Sequence, residues 1–260
     1  MVMSFQSWRG VKLMRLLAHM LRGYVKVRWA WQALTPLQAQ DEVMSWAKEA
    51  LQIFGARVKL DGQLRQSGPL LLVSNHVSWM DILLFLSLGP VRFVSKSEVQ
   101  SWPVIGHFAQ ACRTLFIKRT SKRDARMVVQ RMSESLEDGD LIAIFPEGTT
   151  SVGEGVLPFH ANLFESVVAS KAQVQAASIL YVGGKENSFI TTPSFTGEDT
   201  LVASIWRILG MSQFDIWVSM GPVHESLGQD RRALATQSWR EVQELHSQLR
   251  SRAGPLEPSH

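Results

Sequence analysis

Two apolar runs, LLLV at 70–73 and LIAIF at 141–145, have no polar residue between their hydrophobic ones. Successive side chains of a β-strand point to opposite faces, so a strand without alternation is covered on both sides. Similar short runs follow along the chain: RVKLDG (57–62), PLLLVSN (69–75), VRFVSK (91–96), RTLFIKR (113–119), LIAIFP (141–146), VQAASILYV (174–182) and FDIWVSMGPV (214–223). Between them lie helical segments such as 121–139 and 160–172, and a last helix around 231–249 carries Ala235, Trp239, Val242, Leu245 and Leu249 on one face. Strands interleaved with helices predict an α/β fold with a mixed, largely parallel sheet flanked by helices, over residues 56–252. A flexible tail is expected at 253–260.

Residues 1–55 differ in character. The first 40 residues hold six of the 27 Lys and Arg and no acidic residue, which leaves 21 basic against 23 acidic residues in the body. A local basic segment on a near-neutral body argues against a broad nucleic-acid surface. Lys12, Arg15, His19, Arg22 and Lys26 recur at helical spacing. Leu13, Leu16, Leu17, Met20, Leu21, Tyr24, Val27 and Trp31 line the other side. This pattern predicts an amphipathic helix lying in a membrane interface, too charged to span a bilayer. An ordinary helix packed on the body has the same pattern. A second helix, 38–55, ends at Gly55 with the character of a C-terminal cap. The single cysteine, Cys112, rules out an internal disulfide framework and a Cys-based zinc cluster.

Chemistry concentrates where strands end. After LLLVS comes NHVSWMD, residues 75–81. On a continuous helix His76 and Asp81 would diverge by roughly 140°. They meet if His76 lies in the turn after the strand and Asp81 in the first turn of the next helix. Ser78 and Asp81 have the S-x-x-D spacing of a capping box, which would put Asp81 there. From the residues alone, two readings stand: a helix cap with an incidental histidine, or an imidazole oriented by a carboxylate as a general base. At 146–149, Pro146, Glu147, Gly148 and Thr149 follow a buried strand. Gly148 can free backbone N–H groups for an anion, as a plain turn also would. Arg119 ends another strand in a basic cluster and has the fork geometry that suits phosphate.

Together these segments resemble the glycerolipid acyltransferases, in particular the 1-acylglycerol-3-phosphate acyltransferases, over roughly residues 56–222. NHVSWMD resembles that family's N-H-x4-D motif, FPEGTTS its third motif, and the segment ending in RTLFIKR the approach to its second. PFHANLFE is similar to its F-K-x-G-x-F stretch, with His160 for the lysine and Asn162 for the glycine. Ala176 and Ala177 stand where the fourth motif usually has a proline.

The resemblance implies that His76 is the general base and Asp81 its orienting partner. It implies that Glu147, Gly148, Thr149 and Arg119 bind the glycerophosphate head of the acceptor, and that Asn75, Ser78 and Lys96 support the site. The implied reaction moves a fatty acyl group from acyl-CoA or acyl carrier protein to the free hydroxyl of 1-acyl-sn-glycerol-3-phosphate, giving phosphatidic acid. No metal or other cofactor is implied. The alternatives are another lysolipid acceptor, lyso-ornithine lipid foremost, or a membrane-binding module on a degenerate form of the fold. The expected partners are membrane lipids, the lysophospholipid and a carrier protein, but no nucleic acid. The expected place is peripheral or monotopic, at the cytoplasmic face of the inner membrane.

Overall fold

The computed structural model describes residues 5–117, 122–184 and 186–256. The element order is α1 (Phe5–Val25), α2 (Pro36–Phe54), β1 (Ala56–Asp61), β2 (Leu70–Ser74), α3 (Met80–Leu88), β3 (Val91–Lys96), α4 (Ile105–Ala111), β4 (Leu115–Ile117) and α5 (Lys122–Glu137). There follow β5 (Leu141–Ile144), α6 (Glu165–Ser170), β6 (Gln173–Gly183), β7 (Ser188–Phe189), α7 (Leu201–Leu209), β8 (Phe214–Glu225), α8 (Arg231–Arg252) and β9 (Gly254–Leu256).

The strand order β1-β8-β6-β2-β5-β3-β4 puts β2 and β5 at the centre. β2 runs parallel to both β5 and β6, and β3 extends the parallel set on the far side of β5. β8 turns against it, pairing antiparallel with β6 and parallel with β1, and the short β7 also pairs antiparallel with β6. The mixed, largely parallel sheet expected from the sequence is present.

The apolar runs are buried on both faces. Leu70 and Leu72 of β2, with Leu141 and Ala143 of β5, join one core layer. Leu71 and Val73, with Ile142 and Ile144, join the other. Removing one such leucine to alanine costs about 2–5 kcal/mol, and a polar side chain on either face would be buried without a partner.

α2 begins in a full capping box: Thr35 Oγ1 accepts from Gln38 N, and Gln38 Oε1 accepts from Thr35 N. It ends at Gly55, whose φ of +89° is the left-handed cap expected from the sequence. Its Ala47, Leu51, Ile53 and Phe54 enter the same core layer as Leu70 and Leu72, so α2 shares the core of the sheet.

α1 is rotated from the orientation expected of an interfacial helix with its basic stripe outward. Lys12, Leu16, His19 and Gly23 face inward and are buried. Lys12 Nζ donates to the carbonyls of Phe54 (2.8 Å), Met211 (2.7 Å) and Ser212 (3.1 Å), where the C-terminal end of α2 meets the connection between α7 and β8. The end of α2 presents an unpaired carbonyl and a negative dipole end, and the two loop carbonyls beside it complete a site for a buried ammonium. His19 stacks on Trp46 with ring centroids 4.8 Å apart. A Cβ on Gly23 would lie 2.5 Å from Trp46 Nε1, so glycine permits this approach. Arg22 and Lys26 pair with Glu49 and Glu42 of α2. With Arg22 and Lys26 paired to α2 and Lys12 turned inward, the helix turns Met14, Leu17, Leu21 and Val25 outward, and Trp29 follows them.

The tail expected to be flexible starts as strand β9, which pairs with β7 and is anchored by Gly254 N to Asn187 O at 3.1 Å. Residues 257–260 of that tail lie outside the described residues.

Candidate active site

β2 and β5 end side by side, and the turns that follow them are tied together. Ser151 N donates to His76 O at 2.8 Å, and His76 N donates to Glu147 Oε2 at 3.3 Å. This is the carboxyl edge of the parallel strands, where sites of open α/β sheets form.

His76 lies in the turn after β2 and Asp81 in the first turn of α3, as the spacing requires. His76 Nδ1 is 2.8 Å from Asp81 Oδ2. That oxygen also accepts from Val77 N (2.8 Å) and Ser78 N (2.9 Å), and Asp81 is wholly buried. With the carboxylate accepting from Nδ1–H, the imidazole lone pair is on Nε2. A ring held this way can accept a proton on Nε2 while the carboxylate steadies the cation formed. The imidazole also lies flat against Phe145, centroids 3.8 Å apart and planes within 5°, and its side chain keeps 18% of its surface open.

The capping box expected here is half formed. Asp81 does accept from Ser78 N, but Ser78 Oγ accepts from Met80 N at 3.3 Å rather than from Asp81 N, which bonds the Ser78 carbonyl. The Asp81 carboxylate is drawn over the turn by three donors, His76 among them, so the cap and the His-Asp contact share one oxygen.

Glu147 faces inward. Its Oε2 accepts from His76 N and its Oε1 from Leu157 N at 3.1 Å. Burial pushes its carboxyl up to about 7, reinforced by the nearby Asp81 charge and opposed by the two backbone donors. It therefore holds the His76 backbone, with both oxygens engaged. Gly148 and Thr149 are exposed on the adjoining turn. Gly148 has φ +74°, and a Cβ there would lie 3.1 Å from His160 Cδ2, so His160 flanks this turn. Asn75 is buried and fastens β6: its Nδ2 donates to Ile179 O (3.0 Å) and its Oδ1 accepts from Ile179 N (2.8 Å). Lys96 ends β3 and is exposed. Arg119 lies outside the described residues.

Two residues not singled out by the sequence belong to the site. One is Phe145, the platform under the imidazole. The other is Tyr181, whose hydroxyl donates to Asp81 Oδ1 at 2.6 Å from 100 residues away. Phe145 opens the FPEGTT stretch and Tyr181 closes the VQAASILY stretch set against the fourth motif, so both were within reach of motif reasoning, but no local signal tied Tyr181 to Asp81.

Known proteins resemble this chain in sequence and in fold. The family model described as Acyltransferase matches residues 56–180. The lyso-ornithine lipid O-acyltransferase of Pseudomonas aeruginosa is 35% identical over 209 residues, 80% of this chain and 79% of that protein. The 1-acyl-sn-glycerol-3-phosphate acyltransferase of Neisseria gonorrhoeae is 37% identical over 190 residues, 69% of this chain and 73% of that protein. The crystal structure of a 1-acyl-sn-glycerophosphate (LPA) acyltransferase from Thermotoga maritima matches in fold with a TM-score of 0.65 at 18% identity, over 94% of this chain and 99% of that one.

Proposed function

The chain belongs to the acyltransferase family, and on that premise we propose that it moves a fatty acyl group from a thioester to the free hydroxyl of 1-acyl-sn-glycerol-3-phosphate, giving phosphatidic acid. The observation that carries this is the 2.8 Å contact between His76 Nδ1 and Asp81 Oδ2, which leaves Nε2 as the base. Nε2 takes the proton of the acceptor hydroxyl as its oxygen attacks the thioester carbonyl. The tetrahedral intermediate then expels the thiolate, which receives that proton from the imidazolium. A positioned base of this kind contributes on the order of 10²–10⁴-fold. The thioester is acyl-CoA or acyl carrier protein, and the reaction needs no further cofactor. Arg119, Gly148 and Thr149 are assigned to the acceptor phosphate, and Glu147 to holding the backbone of His76.

The outward face of α1 supports docking at a lipid surface. Met14, Leu21 and Trp29 are each more than 60% exposed, and Leu17 and Val25 continue the strip. Among the described residues no helix is long and apolar enough to cross a membrane, and peripheral attachment fits this face. The cytoplasmic side is assigned because both thioester donors are intracellular.

A second acceptor, lyso-ornithine lipid, is favoured by the name and extent of the Pseudomonas aeruginosa relative. The test is acyl transfer by the purified protein and by His76→Ala, from both thioesters to both acceptors in parallel. Transfer to lysophosphatidic acid that vanishes in the variant supports the proposal. Transfer confined to lyso-ornithine lipid moves the acceptor and keeps the mechanism. An active His76→Ala enzyme refutes the assigned base.

A further inference from the structure

The Asp81 carboxylate is held asymmetrically. Oδ2 accepts from His76, Val77 and Ser78, whereas among the described residues Oδ1 has Tyr181 as its donor. Both side chains are wholly buried, so no bulk water can replace that hydroxyl. An unpaired carboxylate oxygen in such a place would be costly.

The contact follows from strand lengths. Ser74, the last residue of β2, pairs with Ala177, so β6 continues past the end of β2 and runs beside the turn carrying His76. Asn75 clamps this overhang at Ile179 through both halves of its amide. Tyr181 is two residues further on, and in a strand that returns the side chain to the same face. Ile179 and Tyr181 accordingly enter the same core layer, under the Asp81 carboxylate. Burial, the Asp81 charge and the hydrogen bond to it push the phenol well above its ordinary range, so the hydroxyl remains a neutral donor.

We propose that Tyr181 is a positioning residue for the His76–Asp81 pair, its hydroxyl fixing Oδ1 so that Oδ2 stays in line with the imidazole. This rests on His76 being the base. Tyr181 touches no reacting atom and acts in two ways. It stops the carboxylate from turning away from the three donors on Oδ2. It also draws negative charge toward Oδ1, which limits how strongly Asp81 holds the imidazolium and so eases return of the proton to the leaving thiolate.

Tyr24 and Tyr181 are the chain's two tyrosines, which permits a specific test. Tyr181→Phe removes the donor and keeps the ring. The expected kcat is about tenfold lower, the scale of losing a hydrogen bond to a charged group, with KM for donor and acceptor within about twofold. The acid limb of the kcat/KM profile moves to higher pH, because the carboxylate then holds the imidazolium more firmly. In Tyr24→Phe protein grown with 3-fluorotyrosine, the single remaining tyrosine is a more acidic, stronger donor of nearly the same size, and the limb moves to lower pH.

Opposite displacements establish the positioning role, since a packing defect would not reverse sign. An unmoved limb in the fluorotyrosine enzyme overturns it, and that enzyme decides the matter if Tyr181→Phe does not fold. A Tyr181→Phe enzyme with a lowered melting temperature but unchanged kcat and pH profile also overturns it. His76→Ala is assayed beside them. If it is inactive, these results bear on Tyr181 alone; if it is active, the assigned base and the role of Tyr181 both fall.

Discussion

Asp81→Asn separates charge from geometry at the centre of the site. Three N–H groups, from His76, Val77 and Ser78, converge on Asp81 Oδ2. In the asparagine variant they orient the amide oxygen to that position, because the amide nitrogen would oppose three donors. The nitrogen then faces Tyr181, whose hydroxyl can turn to accept. The contacts stay paired, and what is lost is the negative charge beside the imidazolium. With charge centres about 4 Å apart and an effective dielectric of about 20, that interaction is about 4 kcal/mol. Each 1.36 kcal/mol is a factor of ten in rate, so kcat/KM should fall by roughly 10²–10³-fold. The assay is release of free thiol from an acyl thioester in the presence of lysophosphatidic acid, with circular dichroism and melting as checks on folding. A folded Asp81→Asn enzyme within tenfold of wild type would refute the idea that the carboxylate stabilises a histidine cation in the reaction.

Other perturbations reach different parts of the structure. Glu147 has a folded pKa raised from 4.5 to about 7, so between those values the folded state keeps a proton that the unfolded chain releases. Its contribution to stability is present below about 4.5 and lost as pH rises through 7. Glu147→Gln should therefore flatten urea-denaturation stability across that window, apart from a uniform offset, and parallel curves for the two proteins would count against the burial account. Lys12→Met leaves three carbonyls without their shared donor and should cost about 2–3 kcal/mol in chemical denaturation. A loss below 0.5 kcal/mol would mean that water replaces the ammonium. Leu17→Glu with Leu21→Glu puts charge on the outward face of α1 and should weaken vesicle binding at least tenfold, given about 1.5–3 kcal/mol for each buried leucine, without lowering the melting temperature. Unchanged co-sedimentation with vesicles would place the docking surface elsewhere.

Local sequence determined more of this protein than its length suggests. The unbroken runs LLLV and LIAIF required cover on both faces, and the structure divides Leu70 and Leu72 from Leu71 and Val73 between two core layers. For His76 and Asp81 to meet, their interval required a turn between them, because neither an α-helix nor a strand brings residues five apart into contact. Gly55 marked the end of α2 because a left-handed cap favours glycine. Periodicity could also show that α1 has distinct stripes, but not which of them turns inward. That choice depended on the carbonyl end of α2 meeting the loop carbonyls that follow α7, where an ammonium is worth more than an aliphatic group. The contact of Tyr181 with Asp81 was beyond any local pattern. Its place under Asp81 exists because β6 outruns β2 and Asn75 pins the overhang, and the register of two strands 100 residues apart is set by packing across the whole sheet.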